Sequence, residues 1–190
     1  LPMKLSDYFS DIVGVDYDEQ VLDLLEDNIA KNKIKNFKTI CSNCYSGELL
    51  EKIGEKDNIL LSHFGDIEDY FYNLFTKRMI IIRNDVEKSI VHNSNKNTIQ
   101  DICKFLDDRN ISYKIYRQTF EFGQPLKDDE EVIKYLNKWY GEKGINLISN
   151  VKDIDYNYNG EIFTKYYCKP KNTAIVVVEK EEIWKNLREF

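Results

Sequence analysis

Four apolar runs of this sequence each end in polar side chains that could contact a ligand. The positions just past each run are Asp16 and Tyr17, Asn43 and Cys44, residues 62–65, and residues 83–85. The runs are typical of buried strands, and in an open parallel sheet ligands bind beyond the carboxyl ends of the strands. These side chains are therefore the first candidates for a binding site.

Asp16 has the clearest chemical role among them. Its carboxylate directly ends the run Val-Gly-Val and offers two acceptor oxygens, which match the two hydroxyls of a ribose. Capping the next helix is the alternative role, but Asp18 already stands where that cap is needed. An acidic residue at this position is typical of nucleotide-cofactor folds. The sequence therefore predicts that Asp16 binds a ribose.

The elements that would position these residues alternate between strand and helix. Strands are predicted at residues 11–16, 37–42, 58–63 and 78–83. Helices are predicted after Asp18, over 47–53, as an aromatic-faced helix over 66–75, and after Thr98, which with Asp101 has capping-box spacing. This alternation predicts an α/β fold, a doubly wound, mostly parallel, Rossmann-like sheet with helices on both faces.

The last third of the chain departs from that rhythm. In order, we predict a strand at 112–122, a helix at 128–140, an irregular tyrosine-rich stretch at 146–171, a strand at 173–179 and a closing helix over 183–190. We interpret residues 1–190 as one domain. Its core is 1–122, an insertion or lid spans 123–170, and the final strand and helix occupy 171–190.

The composition is that of an ordinary globular protein. Of the 190 residues, 42% are apolar and 32% charged, which excludes disordered and low-complexity classes. The formal charge of −6 favours no polyanion, so we expect no nucleic-acid partner. The apolar runs are far shorter than a membrane span and no secretory leader opens the sequence, so we expect a cytoplasmic protein without membrane contact.

Two of the four cysteines have a spacing that metal and redox sites use. Cys41 and Cys44 form a C-x-x-C pair, while Cys103 and Cys168 are isolated. A zinc site would need a second close pair. We therefore interpret Cys41 and Cys44 as small apolar residues at the end of a strand, and we expect no metal.

The motifs and their order resemble the class I S-adenosylmethionine-dependent methyltransferases. The matching segments are Val-Gly-Val-Asp16 with the following Tyr17, Asn43-Cys44, Leu60-Leu-Ser-His-Phe-Gly65 and the strand over 79–83. In that family the last two strands form an antiparallel hairpin, so the resemblance, which covers most of 1–122 and 171–180, implies a mostly parallel sheet with an antiparallel last strand. The family's glycine-rich turn would lie about 20 residues before Asp16, so we expect the sequence to begin after that turn.

The resemblance also implies roles for individual residues towards the cofactor, S-adenosylmethionine. Asp16 would accept hydrogen bonds from its ribose diol, and Tyr17 would lie along its adenine. Asn43, where the family often has Asp, would accept from the adenine amino group, and the backbone N–H of Cys44 would reach a ring nitrogen. Ser62 would add a further contact.

Residues near the fourth strand end and in the 123–170 insertion are the candidates for catalysis. His63 could orient the methyl acceptor or take its proton, since imidazole titrates near neutral pH; a partly buried histidine bonded to a neighbouring loop is the alternative. Phe64, Arg83 and Trp139 are candidate substrate contacts. The aromatic residues of the insertion could form a lid over the acceptor or could pack a helix onto the sheet edge.

We therefore predict a methyltransferase that acts on a small molecule. A nicotinamide-dependent oxidoreductase would share the ribose-binding carboxylate, and a binding module without catalysis would keep only the fold. A reversed strand at 173–179 beside 112–122 would favour the methyltransferase, whereas a wholly parallel sheet would favour the oxidoreductase.

Overall fold

The computed structural model describes residues 2–63, 65–85, 98–158, 160–181 and 183. Phe64 and the asparagine-rich stretch 93–97 lie outside the described residues, as does most of the expected closing helix. The helices are α1 Pro2–Leu5, α2 Glu19–Lys31, α3 Leu49–Ile53, α4 Ile99–Asp107 and α5 Asp129–Tyr140. The strands are β1 Ile12–Asp16, β2 Phe37–Cys41, β3 Lys56–Ser62, β4 Phe75–Asn84, β5 Lys114–Leu126, β6 Val151–Tyr158 and β7 Glu161–Glu179. Two 3₁₀ helices cover Asp69–Asn73 and Gly141–Asn150.

The first two strands form a parallel pair. Asp16, the last residue of β1, lies in register with Cys41, the last residue of β2. Asp18 caps α2 by accepting a hydrogen bond from the Gln20 N–H at 2.9 Å, and α2 buries Leu22. The pair and its helix therefore carry the ends of both strands to the same edge, as a βαβ unit requires.

The other five strands form one sheet in the order β3-β4-β7-β5, with β6 also paired to β7. The Lys56 N–H donates to the Leu74 carbonyl and the His63 N–H to the Ile82 carbonyl, each at 3.0 Å, so β3 and β4 run parallel. β7 is antiparallel to β5, with Lys114 opposite Val177. The predicted mostly parallel sheet with an antiparallel last strand is confirmed.

The helix α4 begins where the sequence predicts it. Thr98 accepts a hydrogen bond from the Asp101 N–H at 3.3 Å, and the Asp101 carboxylate accepts one from the Thr98 N–H at 2.9 Å. This reciprocal capping box satisfies two N–H groups that have no partner inside the helix.

The predicted break after residue 122 and the irregular stretch at 146–171 are wrong. β5 continues through Gly123 and Pro125 to Leu126, and β6 and β7 form a hairpin across that stretch. Proline is tolerated in β5 because this strand is at the edge of the sheet, where its missing N–H removes no inter-strand hydrogen bond on the open side.

The predicted helix at 66–75 is also different. Only the 3₁₀ helix Asp69–Asn73 forms, and β4 begins at Phe75. Phe71, Leu74 and Phe75 are all fully buried at helix-like spacing. So short an apolar window does not distinguish a helical turn from the start of a strand.

The described residues form two compact units. The first contains those within Leu1–Ile59, Ile67–Met79 and Glu179–Arg188, and the second those within Leu60–Asp66 and Ile80–Val178. The core of the second unit includes a cluster of Leu126, Val132, Leu136 and Tyr167. The division into core, insertion and closing segment stays a prediction. No helix among the described residues has both the length and the apolar composition to cross a membrane.

Candidate functional site

The first unit holds the predicted ribose-binding carboxylate at the end of β1. Asp16 Oδ1 accepts a hydrogen bond from the Asp18 N–H at 3.0 Å, which closes a turn between β1 and α2. Within the described residues the other oxygen, Oδ2, has no hydrogen-bond partner. The carboxylate is thus held in place by one oxygen and can bind a ligand with the other.

The end of β2 lies directly beside this carboxylate. The Ser42 N–H donates to the Asp16 carbonyl at 2.9 Å, which continues the pairing one residue beyond the strands. Asn43 Oδ1 accepts a hydrogen bond from the Tyr45 N–H at 2.9 Å. The pKa of the half-buried Cys44 thiol is raised by burial and then by the negative charge of Asp16. Three of the four predicted cofactor contacts in this unit, Asp16, Asn43 and Cys44, therefore lie close together.

Tyr17, the fourth, presents its ring to solvent. Its side chain is 79% exposed, while its carbonyl accepts a hydrogen bond from the Cys41 thiol at 3.6 Å. That contact fixes the backbone of the turn and leaves the ring available for stacking on a flat ligand.

Sequence reasoning missed Tyr70, which lies near Cys44. Burial raises the pKa of Tyr70 to about 12, and the Cys44 thiol adds to the shift. The Tyr70 ring packs against Phe71 with centroids 4.4 Å apart. The aromatic run at 70–72 was the available signal, but its spacing suggested only a helix face.

His63 lies in the second unit, at the carboxyl end of β3. Its φ is +49°, a left-handed conformation that is uncommon outside glycine but that histidine, like Asn and Asp, adopts more often than most residues. His63 is exposed, and partial desolvation and then the charges of Lys171 and Arg83 lower its pKa. Its imidazole is therefore neutral at neutral pH and can accept a proton. The neighbouring Ser62 is exposed.

Arg83 is buried and contacts the backbone beside His63. Its side chain is 2% exposed, and Nη2 donates a hydrogen bond to the Gly65 carbonyl. Arg83 therefore holds the segment after β3 against the end of β4. Its role as a substrate contact stays a prediction, as does that of Phe64, which lies outside the described residues.

Trp139, the other predicted substrate contact, projects from α5. It is 57% exposed, its ring lies 6.5 Å from that of Tyr135, and the Lys138 ammonium lies 5.4 Å from its centroid. The Tyr135 contact is the i, i+4 packing expected on a helix.

The second unit also contains a pocket of about 300 Å³ that sequence reasoning did not identify. Its lining residues come from the end of β4, from β5, from β7 and from α5. They are Asn84, Phe122, Gly123, Gln124, Tyr135, Tyr140, Tyr167, Lys169, Pro170, Lys171 and Asn172. Trp139 is not among them.

The four cysteines are free thiols. Within the described part of the chain, no three metal-ligating side chains come together. The expectation that Cys41 and Cys44 bind no metal stays a prediction.

Comparison with known proteins shows similarity in structure only. No protein-family model matches the sequence, and no curated protein matches it. Among solved structures, the YcgJ protein of Bacillus subtilis is 12% identical with a TM-score of 0.53, over 93% of this chain and 86% of that one. The precorrin 8W decarboxylase of Methanobacterium thermoautotrophicum is 10% identical with a TM-score of 0.50, over 93% and 74%.

A coclaurine N-methyltransferase bound to N-methylheliamine and S-adenosylhomocysteine also matches, at 11% identity and a TM-score of 0.48, over 93% of this chain and 63% of that one. The antiparallel pairing of β5 with β7 is the feature that the sequence resemblance implied. The chain has the α/β, Rossmann-like fold of the solved structures to which it is similar.

Proposed function

We propose that this protein is an S-adenosylmethionine-dependent methyltransferase that acts on a small molecule. The observation that carries the proposal is the Asp16 carboxylate, which ends β1 beside the end of β2 with one oxygen open to a ligand. In open α/β folds this is where a carboxylate binds the ribose of a nucleotide cofactor.

The side chains of the first unit suit the adenosine half of that cofactor. Asp16 Oδ2 accepts from a ribose hydroxyl, and the exposed ring of Tyr17 stacks along the adenine. Asn43 Oδ1 has one lone pair engaged by the Tyr45 N–H and a second that can accept from the adenine amino group. The N–H of Cys44 serves as a donor to the adenine ring. Each of these four protein groups therefore has the polarity and the hydrogen-bonding capacity that suit the part of the adenosine assigned to it.

When bound, S-adenosylmethionine supplies a methyl group already activated on a sulfonium. The protein's remaining tasks are to place the acceptor, exclude water and remove a proton. His63 suits the last task because its lowered pKa keeps the imidazole neutral. Ser62 is the polar residue that precedes it. Arg83 fixes the backbone after His63 by donating a hydrogen bond to the Gly65 carbonyl. We propose that the His63 imidazole takes up the proton that the methylated substrate loses.

Two other functions remain as alternatives. A nicotinamide-dependent oxidoreductase would use the same carboxylate, but the antiparallel β5–β7 pair favours the methyltransferase. A binding module without catalysis would keep the fold and bind neither cofactor.

Calorimetric titration of the full chain with S-adenosylhomocysteine and, separately, with NADH tests the proposal. We expect saturable binding of S-adenosylhomocysteine that weakens at least tenfold in Asp16→Ala, since a hydrogen bond to a charged group is lost. NADH binding alone would replace the proposal with the oxidoreductase. Binding of neither ligand would refute it.

A further inference from the structure

The pocket of the second unit has a lining whose charge differs from that of the whole chain. The chain carries a net charge of −6, yet the lining contains Lys169 and Lys171 and no carboxylate. Two carboxylates nearby are neutralised by cations outside the pocket: Asp85 pairs with Arg117 at 3.0 Å, and Glu121 with Lys152 at 3.7 Å. The pocket is therefore locally positive.

Neither pocket lysine has an acidic partner among the described residues. Lys169 Nζ donates to the Tyr140 hydroxyl at 3.4 Å and lies 5.3 Å from the centre of that ring. Lys171 Nζ lies 5.1 Å from the centre of the Phe122 ring. Both ammonium groups thus rest on aromatic faces, which leaves N–H donors for a ligand.

Four aromatic side chains also line the pocket, those of Phe122, Tyr135, Tyr140 and Tyr167. Tyr167 is 2% exposed, and its ring lies 5.8 Å from that of Tyr135 and 5.9 Å from that of Tyr140. Phe122, at 61% exposure, is the accessible aromatic group. Flat rings favour a flat ligand, because stacked and edge-on ring contacts add to the gain from apolar burial.

Amide groups supply the remaining polarity. Asn84, Gln124 and Asn172 belong to the lining. Asn172 Oδ1 accepts from the Thr119 hydroxyl at 2.8 Å, which fixes its amide. Such groups orient a ligand that has polar substituents, and a volume of about 300 Å³ suits a small fused-ring molecule.

From this combination of two lysines, aromatic walls and amides, we infer that the pocket binds a planar aromatic carboxylate. The lysines bind the carboxylate, the tyrosines and Phe122 contact the rings, and the amides bind a ring substituent. Lys171 also lies near His63, because the positive charge of Lys171 lowers the pKa of the His63 imidazole. That this ligand is the methyl acceptor rests on the function proposed above, whereas its binding does not.

The test is calorimetric titration of the full chain with 6-hydroxy-2-naphthoate and with its neutral analogue 6-hydroxy-2-naphthamide, in the absence of any cofactor. We expect the acid to bind with one site and at least tenfold more tightly than the amide. Lys169→Gln and Lys171→Gln should each weaken the acid about tenfold, because each removes a charged hydrogen-bond donor. Lys171→Arg should retain binding of the acid.

Lys134→Gln is the matched control. Lys134 is an exposed lysine of the same unit that pairs with Glu130 at 2.8 Å and does not line the pocket, so its removal should leave binding unchanged. Equal binding of acid and amide, failure of the acid to bind, or an equal loss in Lys134→Gln would overturn the inference. Circular dichroism of each variant separates lost binding from lost folding.

A separate titration with S-adenosylhomocysteine distinguishes this inference from the proposed function. Acid binding without S-adenosylhomocysteine binding would uphold the pocket and refute the methyltransferase. The reverse result would refute the pocket alone.

Discussion

The carboxylates of Asp16 and Asp18, two residues apart, have different roles at the start of α2. The Asp18 N–H donates to Asp16 Oδ1 at 3.0 Å, and Asp18 Oδ1 accepts from the Gln20 N–H at 2.9 Å. Asp18 therefore caps α2, while Asp16 braces the turn with one oxygen and keeps the other for a ligand.

These roles predict that alanine at position 18 lowers mainly the stability, whereas alanine at position 16 lowers mainly the affinity for S-adenosylhomocysteine. Asp18→Ala removes a helix cap and should lower the free energy of unfolding by about 1 kcal/mol. It should leave S-adenosylhomocysteine affinity within about threefold, whereas Asp16→Ala should lose most of that affinity. Thermal unfolding and calorimetry on both proteins give the comparison. Equal losses of affinity would show that the Asp16 carboxylate acts only through the turn that it shares with Asp18, which would contradict its role as a ligand contact.

The environment of His63 predicts a pH dependence. Partial desolvation and the charges of Lys171 and Arg83 hold its pKa below the ordinary 6.5. In the unfolded chain the imidazole takes up a proton below about pH 6.5, while in the folded chain it does so only at lower pH. The unfolded state thus binds more protons in that window, so stability should fall as the pH is lowered through it.

NMR titration of the His63 ring signals measures this shift directly. Lys171→Gln should raise the pKa of His63 towards 6.5, whereas Lys152→Gln should not change it. If His63 accepts the acceptor's proton, methyl transfer should persist below pH 6.5 and fall only at the lowered pKa. An unchanged His63 pKa in Lys171→Gln would contradict the proximity of the two groups.

Cys44 should act as a chemical reporter of the Asp16 charge. Burial and that charge raise the pKa of the thiol, so little thiolate is present at neutral pH and alkylation should be slow. Asp16→Asn should speed labelling of Cys44 by iodoacetamide, with labelling of Cys103 unchanged. Mass spectrometry of the labelled peptides gives both rates. The same rate for Cys44 in both proteins would show that the two side chains do not interact.

Gly123 should be intolerant of any side chain. A Cβ there would lie 2.2 Å from the Tyr166 ring and 2.5 Å from the Tyr167 carbonyl. Gly123→Ala should lower the free energy of unfolding by about 1–3 kcal/mol and weaken ligand binding in the adjacent pocket. At Gly47 an added Cβ meets nothing within 4 Å, so Gly47→Ala should be neutral or slightly stabilising. Equal thermal unfolding of the two variants would argue against the close contact.

Features that depend on neighbouring residues could be predicted from sequence. Thr98 and Asp101 form their capping box within one helical turn, and Asp18 caps α2 in the same way. The turn at Asp16 is equally local. Patterns of this kind require only backbone geometry and side chains two or three residues apart.

Features that depend on pairing across the chain could not. β5 continues past Gly123 and Pro125 because β7 pairs with it, with Pro125 opposite Tyr166. The local signals at glycine and proline favoured a break, and the hydrogen bonds to β7 outweighed them. Pairing between β6 and β7 likewise organises residues 151–158 and 161–171, whose mixed tyrosines and lysines show no clear alternation.

By itself, then, the sequence determined the alternation of strands and helices, the helix caps and the position of Asp16 at a strand end, since each arises from short-range periodicity and hydrogen bonding. The tertiary structure decided that β5 continues through Gly123 and Pro125, how Arg83 is used and where Lys169 and Lys171 meet aromatic rings. Those outcomes join residues many positions apart, and burial and strand register, which no local pattern encodes, bring them together.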